Sequence, residues 1–367
     1  MLQSLKIEGF RGFQNFEMAN LGRINLLVGK NNSGKTSILE AILIYVSKFD
    51  IGKIQKILAL RGELVNRKVS MGFVGTVEIP AFEMNSVFFN KNSQKDNQKI
   101  VIYEPDKPAS QVILSIQAIS SELMAELGKD NLQKIGNFRL VVNFDDQEKV
   151  YYLSPEGGIL QIINQDQFDL TQLKLFWVPP QSLSTNTIRY LFNPTSLLNS
   201  NILVIEALKF IEPKIEKIAP IEDFKPPASN TLWVGRGGFM VKLKGAEEPV
   251  PIGSLGDGFW RMLGLVLAMV NLENGILLVD EIDSGLHFTV MTDMWKVVWE
   301  TAKKLNIQVF ATTHSRDCWQ SLGELITEEK ITDNDITIQR IDRDKEKAVS
   351  FNTRQIYLAS ERDIEVR

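Results

Sequence analysis

At 367 residues the chain can form one large domain or two, and 44% hydrophobic with 23% charged residues is a globular balance, not a disordered or fibrous one. A formal charge of −4 excludes a polycation, so any contact with nucleic acid needs a local basic patch. The lone Cys318 excludes an internal disulfide and a cysteine zinc cluster; with no apolar signal core in MLQSLKIEGF and no apolar run beyond MLGLVLAMV (262–270), a soluble cytoplasmic protein with no membrane contact is expected.

Leu5 and Ile7 alternate with Lys6 and Glu8, which predicts a first strand, and FRGF (10–13) predicts a turn. INLLV (24–28) has the apolar run of a buried strand. SILEAILIYV (37–46) follows with helical spacing, placing Ile38, Ala41, Ile42 and Tyr45 on one side. From 70 to 180 the pattern becomes short alternating strands: VSMGFVGTVEI, KIVIYE, QVILSIQAI, FRLVVNF and KVYYL. The polar stretch NKNSQKDNQK (90–99) interrupts this β-rich region and predicts a mobile loop. Residues 184–218 predict a helical subregion, strongest at NILVIEALKFI, and TLWVGRGGFMVKL (231–243) predicts a hairpin. A helix over FWRMLGLVLAMVNL, a strand at ILLVD (276–280), a helix over MTDMWKVVWETAKKL and a strand at IQVFATT (307–313) come next. ITIQRI and AVSFN make 321–367 a C-terminal β tail. This order predicts a single α/β domain with a mixed sheet. Its core is formed by 1–47 and 230–320, and the β-rich region is inserted between them.

Two glycine clusters stand out. GKNNSGKTS (29–37) fits G-x-x-x-x-G-K-[ST], follows a predicted strand and opens a predicted helix, the context a phosphate loop requires. Gly29, Lys30, Asn31, Asn32, Ser33, Gly34 and Ser37 would wrap phosphate oxygens with their backbone N–H groups at the positive end of the helix. Lys35 would neutralise the β and γ phosphates, and the Thr36 hydroxyl would ligate Mg²⁺. ILLVDEID (276–283) ends a buried strand in two carboxylates, where α/β sheets place their ligands. Asp280 is expected in the Mg²⁺ shell and Glu281 as the general base that activates water. An exposed strand end tolerating acids is the plain alternative. FATTHS (310–315) ends the neighbouring strand, which makes His314 a candidate γ-phosphate contact instead of a structural histidine. His287, in DSGLH, reads equally well as a surface residue.

The second cluster lies in PIGSLGDGFWRM (251–262). Ser254 with the amides around Gly256 and Gly258, at a helix start, forms a second anion site. One nucleotide already has its phosphate loop. A second such surface makes sense if it caps the γ-phosphate of a nucleotide held by another copy.

Taken together these elements resemble the ATP-binding-cassette ATPases, in the branch of RecF, the Rad50/SMC heads and the OLD-type ATPases. SLGDG stands at the branch's signature Ser-x-Gly-x-Gly, and LKIEGFRGF matches its usual opening, where the arginine at the place of Arg11 touches the nucleotide in some members. Asn31 matches the asparagine often found in the phosphate loop. DSGLH matches the segment that meets the partner subunit, and TTHS the switch histidine. The metal-reaching glutamine of the branch is placed at Gln181, in FWVPPQS. The resemblance covers about 1–47 and 230–320, and it implies a P-loop head fold with adenine as the base.

Departures narrow the resemblance. Without sustained heptads no long coiled-coil arm is expected, unlike Rad50 or SMC proteins. The residues after His314 are too few for the Toprim nuclease of OLD proteins, and Asp342 and Asp344 in IDRDKE predict a charged hairpin turn. The chain therefore looks like a stand-alone OLD-like ATPase of the AAA15/AAA21 type. The resemblance implies an ATP-dependent homodimer that acts as a switch for a separately encoded effector, such as a nuclease or toxin of phage defence. A RecF-like DNA-binding ATPase and an ATP-gated scaffold with little turnover are the alternatives.

Overall fold

INLLV, ILLV and QVFAT are apolar at every or nearly every position, and such runs form strands covered on both faces. In the computed structural model they lie side by side in a six-stranded sheet. Leu175–Val178, Ile276–Val279, Gln308–Thr312, Ile24–Val28 and Ile336–Arg340 run parallel in that order, and Val349–Phe351 pairs antiparallel at the edge. The structure describes residues 1–70, 76–89, 98–127, 135–155, 157–159, 174–192, 200–221, 238–331 and 335–367.

Alternate side chains of the central strands enter two different cores, as the two-residue strand period requires. Ile24, Leu26, Val28, Leu277, Val279, Val309 and Ala311 face one core, roofed by the helices Gly256–Val270, Met291–Lys304 and Arg316–Glu328. Leu27, Leu278 and Phe310 face the other, filled by Ile38, Leu39, Ala41 and Ile42 of the helix Lys35–Val46. That second core is closed by an antiparallel sheet in the order Phe13–Met18, Leu5–Phe10, Lys99–Tyr103, Val112–Ala118, Phe138–Phe144, Gln147–Tyr152. Two three-stranded sheets complete the described fold, one of Gly158–Ile159, Thr76–Glu83 and Leu64–Ser70, the other of Ile215–Pro220, Phe239–Leu243 and Val250–Pro251. The mixed α/β class is as expected, and no described helix is long and apolar enough to cross a membrane.

Several boundaries differ from expectation. The β-rich region is no separate insertion: the first two strands of the chain belong to its sheet, whereas Leu175–Val178 belongs to the parallel one. The helical subregion 184–218 yields helices Thr185–Leu191 and Ser200–Leu208, but Ile215–Pro220 is a strand. Pro213 ends helical propagation there, and a bulge near Ile215 lets it pair with Phe239–Leu243. The 231–243 hairpin falls partly on residues outside those described, and Phe239–Leu243 pairs antiparallel with Ile215–Pro220 and Val250–Pro251. Most of the polar stretch 90–99 also lies outside them.

The C-terminal segment is not a β tail. Arg316–Glu328 buries Cys318, Trp319, Leu322, Leu325 and Ile326, an i, i+3/i+4 stripe, and Thr353–Glu361 starts from a capping box between Asn352 and Gln355. Ile336–Arg340 pairs with Ile24–Val28, so the segment completes the parallel sheet. Helices Ile51–Leu60 and Ser121–Leu127 were not anticipated either.

Candidate active site

The strand Ile24–Val28 runs into a loop that opens the helix Lys35–Val46. Gly34 starts that helix at φ +100°, and a Cβ there would lie 2.4 Å from the Phe13 ring, so glycine alone fits. The first N–H groups of a helix have no carbonyl within it, and its positive end favours anions. Asn31, Asn32, Ser33, Gly34, Lys35, Thr36 and Ser37 line a cavity of about 750 Å³. Gly29 and Lys30 are not in the lining; their carbonyls accept the Lys35 ammonium at 2.8 and 2.9 Å. Burial lowers the Lys35 pKa from its ordinary value, against the upward pull of Asp280 and Glu281.

The strand order brings the acidic pair to the same cavity. Asp280 and Glu281 follow Ile276–Val279, and Thr312 and His314 follow from Gln308–Thr312, next to it in the sheet. The Thr36 hydroxyl lies 3.1 and 3.0 Å from the two Asp280 carboxylate oxygens. Thr312 binds both acids' residues: its hydroxyl donates to Asp280 Oδ1 at 2.6 Å and accepts the Glu281 N–H at 2.8 Å. The Glu281 carboxylate stays half exposed to the cavity, with His314 Nδ1 3.9 Å from its Oε1.

Fit to a metal–triphosphate rests on three observations. A hydroxyl and a carboxylate oxygen within hydrogen-bond distance form a hard oxygen pair of the kind Mg²⁺ takes, with its remaining positions left to water and phosphate. The ammonium of Lys35 opens onto the same space. The buried Ser33 hydroxyl has no hydrogen-bond partner among the described residues. No cluster of three His, Cys, Asp or Glu side chains suited to a metal occurs among those residues, so a dedicated protein cage is not offered there.

Not every expected residue is placed as foreseen. Arg11 lines the cavity, but its guanidinium is committed to carboxylates, with Nε 2.5 Å from Glu40 and Nη1 2.7 Å from Glu63. Arg61 Nε holds the other Glu40 oxygen at 2.5 Å. Gln181 is exposed in the turn after Leu175–Val178 and outside the lining; the Ser182 N–H donates to the Pro179 carbonyl at 3.2 Å and closes that turn. Ser254, Gly256 and Gly258 also lie outside the cavity. The exposed Ser254 hydroxyl donates to the Pro251 carbonyl at 2.7 Å, and Gly256 sits at φ +81° in open space. A Cβ on Gly258 would press on Leu286 and the Gly285 carbonyl, so the helix start packs on the DSGLH segment. His287 in that segment is exposed, 3.0 Å from the Thr289 hydroxyl, with its ring tilted against that of Phe288.

Sequence reasoning missed Thr312, although it stands in the TTHS string. It also missed Phe13, Arg61, Glu63, Ser86, Phe89 and Arg343, which reach the cavity from separate elements. Arg343 lies between Asp342 and Asp344, in the turn of a hairpin whose N-terminal strand is Ile336–Arg340.

A phosphate loop and an acidic strand end on parallel strands two places apart in one sheet define a P-loop ATPase. The AAA ATPase domain model matches residues 1–173 and 181–318. The chain belongs to that family. An ATP/GTP phosphatase of Helicobacter pylori is 25% identical over 351 residues, which is 89% of this chain and 89% of that protein. An uncharacterized protein of Methanocaldococcus jannaschii is 28% identical over 181 residues, 44% of this chain and 82% of its own. Among solved structures, an SMC head bound to the C-winged helix domain of ScpA aligns over 96% of this chain and 97% of its own, at 13% identity and a TM-score of 0.49. The recombination mediator protein RecF aligns over 96% and 98%, at 12% identity and a TM-score of 0.40.

Proposed function

We propose that the chain binds ATP with Mg²⁺ in this cavity, hydrolyses it, and closes into a head-to-tail homodimer around two nucleotides, as a switch for a separately encoded effector. The juxtaposition of Thr36, Asp280 and Glu281 supports the catalytic part most directly. Lys35 leaves the loop carbonyls for the β and γ phosphates, while the loop amides hold their oxygens. Thr36 and Asp280 would hold Mg²⁺, which when bound spreads the charge developing on the phosphates. Glu281, open to the cavity, takes a proton from the attacking water, and His314 orients the water and the γ-phosphate beside it. The position of Ser254, Gly256 and Gly258 outside their own cavity supports the dimer, since an anion site with no ligand in its own chain suits a nucleotide brought by a second copy. The effector, and a role in phage defence, rest on the resemblance to OLD-like ATPases alone.

Phosphate release from ATP with and without Mg²⁺, compared with Glu281→Gln, tests the catalytic part. The variant should bind ATP yet turn over at least about 100-fold more slowly. Turnover within a few fold of the unaltered protein would place the base elsewhere. Light scattering of Glu281→Gln should also show association on adding ATP, and no change would remove the dimer.

A further inference from the structure

Glu281 has φ +49°, a left-handed backbone that residues other than glycine seldom adopt. The peptide planes on both sides of it are pinned. In the first, the Glu281 N–H donates to the Thr312 hydroxyl at 2.8 Å, and the Asp280 carbonyl accepts from Arg261 Nη2 at 2.9 Å. In the second, the Ile282 N–H donates to the Thr312 carbonyl at 3.0 Å, and the Glu281 carbonyl accepts from the same Arg261 nitrogen at 2.9 Å. The neighbouring strand thus holds one edge of each plane and Arg261 holds the other. Arg261 Nη1 meanwhile donates to the carbonyls of Pro179 and Pro180, in the turn before Gln181.

Arg261 belongs to the helix Gly256–Val270, whose start carries the Ser254–Gly258 segment. The residue is only 2% exposed. Space between a helix and a strand is filled at lower cost by an apolar side chain, because a guanidinium buried against carbonyls loses its water without gaining a bonded carboxylate. That loss of solvent pulls its pKa down to about 10, despite the nearby charges of Asp280, Asp283 and Glu281. What the buried cation provides is geometry: one planar fork holding four carbonyls from two segments.

We propose that Arg261 is a positioning residue that sets the backbone of Glu281 for hydrolysis and makes that setting depend on the helix bearing Ser254, Gly256 and Gly258. The proposal rests on the functional reading above. A helix drawn toward a second copy's nucleotide would carry the fork with it, so each copy's general base would answer to the nucleotide across the dimer.

The test compares Arg261→Lys, Arg261→Met, Trp260→Phe and Glu281→Gln by steady-state turnover, direct ATP titration and thermal melting. Lysine keeps the charge but offers a single nitrogen that cannot span both carbonyl pairs. Arg261→Lys should keep KM and ATP affinity within about threefold and lose at least about tenfold in kcat, since an ångström's misplacement of a catalytic group can cost about 100-fold. Arg261→Met should lose at least as much; should it fail to fold, the lysine variant carries the comparison. Trp260→Phe removes a bond from the same helix, the indole N–H to the Leu183 carbonyl at 3.3 Å, without touching the acid pair. It should lower the melting midpoint and keep kcat. The proposal fails if Arg261→Lys keeps kcat within about twofold, or if Trp260→Phe loses as much kcat as Arg261→Lys. Full turnover in Glu281→Gln would instead overturn the functional reading; lost turnover there beside normal turnover in Arg261→Lys overturns this proposal alone.

Discussion

The hydroxyl of Thr36 touches both carboxylate oxygens of Asp280, at 3.0 and 3.1 Å, across a sequence separation of 244 residues. One residue opens the helix after the glycine loop and the other ends a strand two places away in the sheet. The sheet order makes the contact, and it sets side by side two oxygen donors of the kind a divalent cation takes.

Thr36→Val keeps the shape and removes the oxygen. The concentration of Mg²⁺ giving half-maximal phosphate release should rise at least about tenfold, as is usual when a metal's supporting shell is damaged. Binding of ATP without Mg²⁺ should stay unchanged because Lys35 and the loop amides remain. An unchanged Mg²⁺ titration would show that Thr36 is no ligand.

Thr312 tests the acid pair from the other side. Thr312→Val takes the bonding partner from the Glu281 N–H and from Asp280 Oδ1 together. A polar group stranded this way costs about 1–3 kcal/mol, and the displaced carboxylates should lower kcat by about 10- to 100-fold. Thr312→Ser restores the hydroxyl and should recover most of the turnover. Equal loss in both variants would mean that the methyl group, not the hydroxyl, matters.

Arg11 carries a prediction about stability. Glu40 is almost wholly buried between Arg11 and Arg61, and removing one partner of such a cluster costs about 3 kcal/mol. Arg11→Ala should therefore shift urea unfolding more than it shifts ATP affinity; the reverse would make Arg11 chiefly a nucleotide contact. Burial alone would raise the Glu63 pKa, but the hydrogen bond and charge of Arg11 outweigh it and hold that carboxyl below its ordinary 4.5. Its contribution to stability is therefore present above pH 4.5 and lost as the pH falls below it. Glu63→Gln should flatten that part of the stability–pH curve.

The chemistry was legible where it is local. GKNNSGKT and VDE each lie in one short string, and each sits on the expected loop or strand end. Even Thr312 was within reach, two residues from His314. Arg343 and Glu63 gave no signal, because only tertiary pairing brings their hairpins to the cavity. Arg11 was noticed through a resemblance, yet its carboxylate partners come from a helix and from the turn before Leu64–Ser70, which spacing does not connect to it. The C-terminal segment misled for a different reason. ITIQRI is a true strand, but its pairing with Ile24–Val28 makes it part of the core sheet, and sequence alternation carries no pairing information.

The Ser254–Gly258 segment stands apart from the cavity of its own chain. Ser254 is exposed, and Gly256, at φ +81°, has no atom within 4 Å of where a Cβ would be. Ser254→Arg therefore meets little resistance inside its own chain, and Lys35 and Thr36 should bind ATP as before. An arginine at that surface would collide with whatever the segment approaches. If the segment caps a nucleotide held by a second copy, hydrolysis and ATP-induced association should both disappear while ATP binding persists. Glu281→Gln supplies the background, since slow turnover keeps the nucleotide intact during the measurement. Dimers held by other surfaces are removed from the comparison by reading only the change in light scattering on adding ATP. Association of the Ser254→Arg, Glu281→Gln double variant equal to that of Glu281→Gln would leave SLGDG as no more than a turn before a helix.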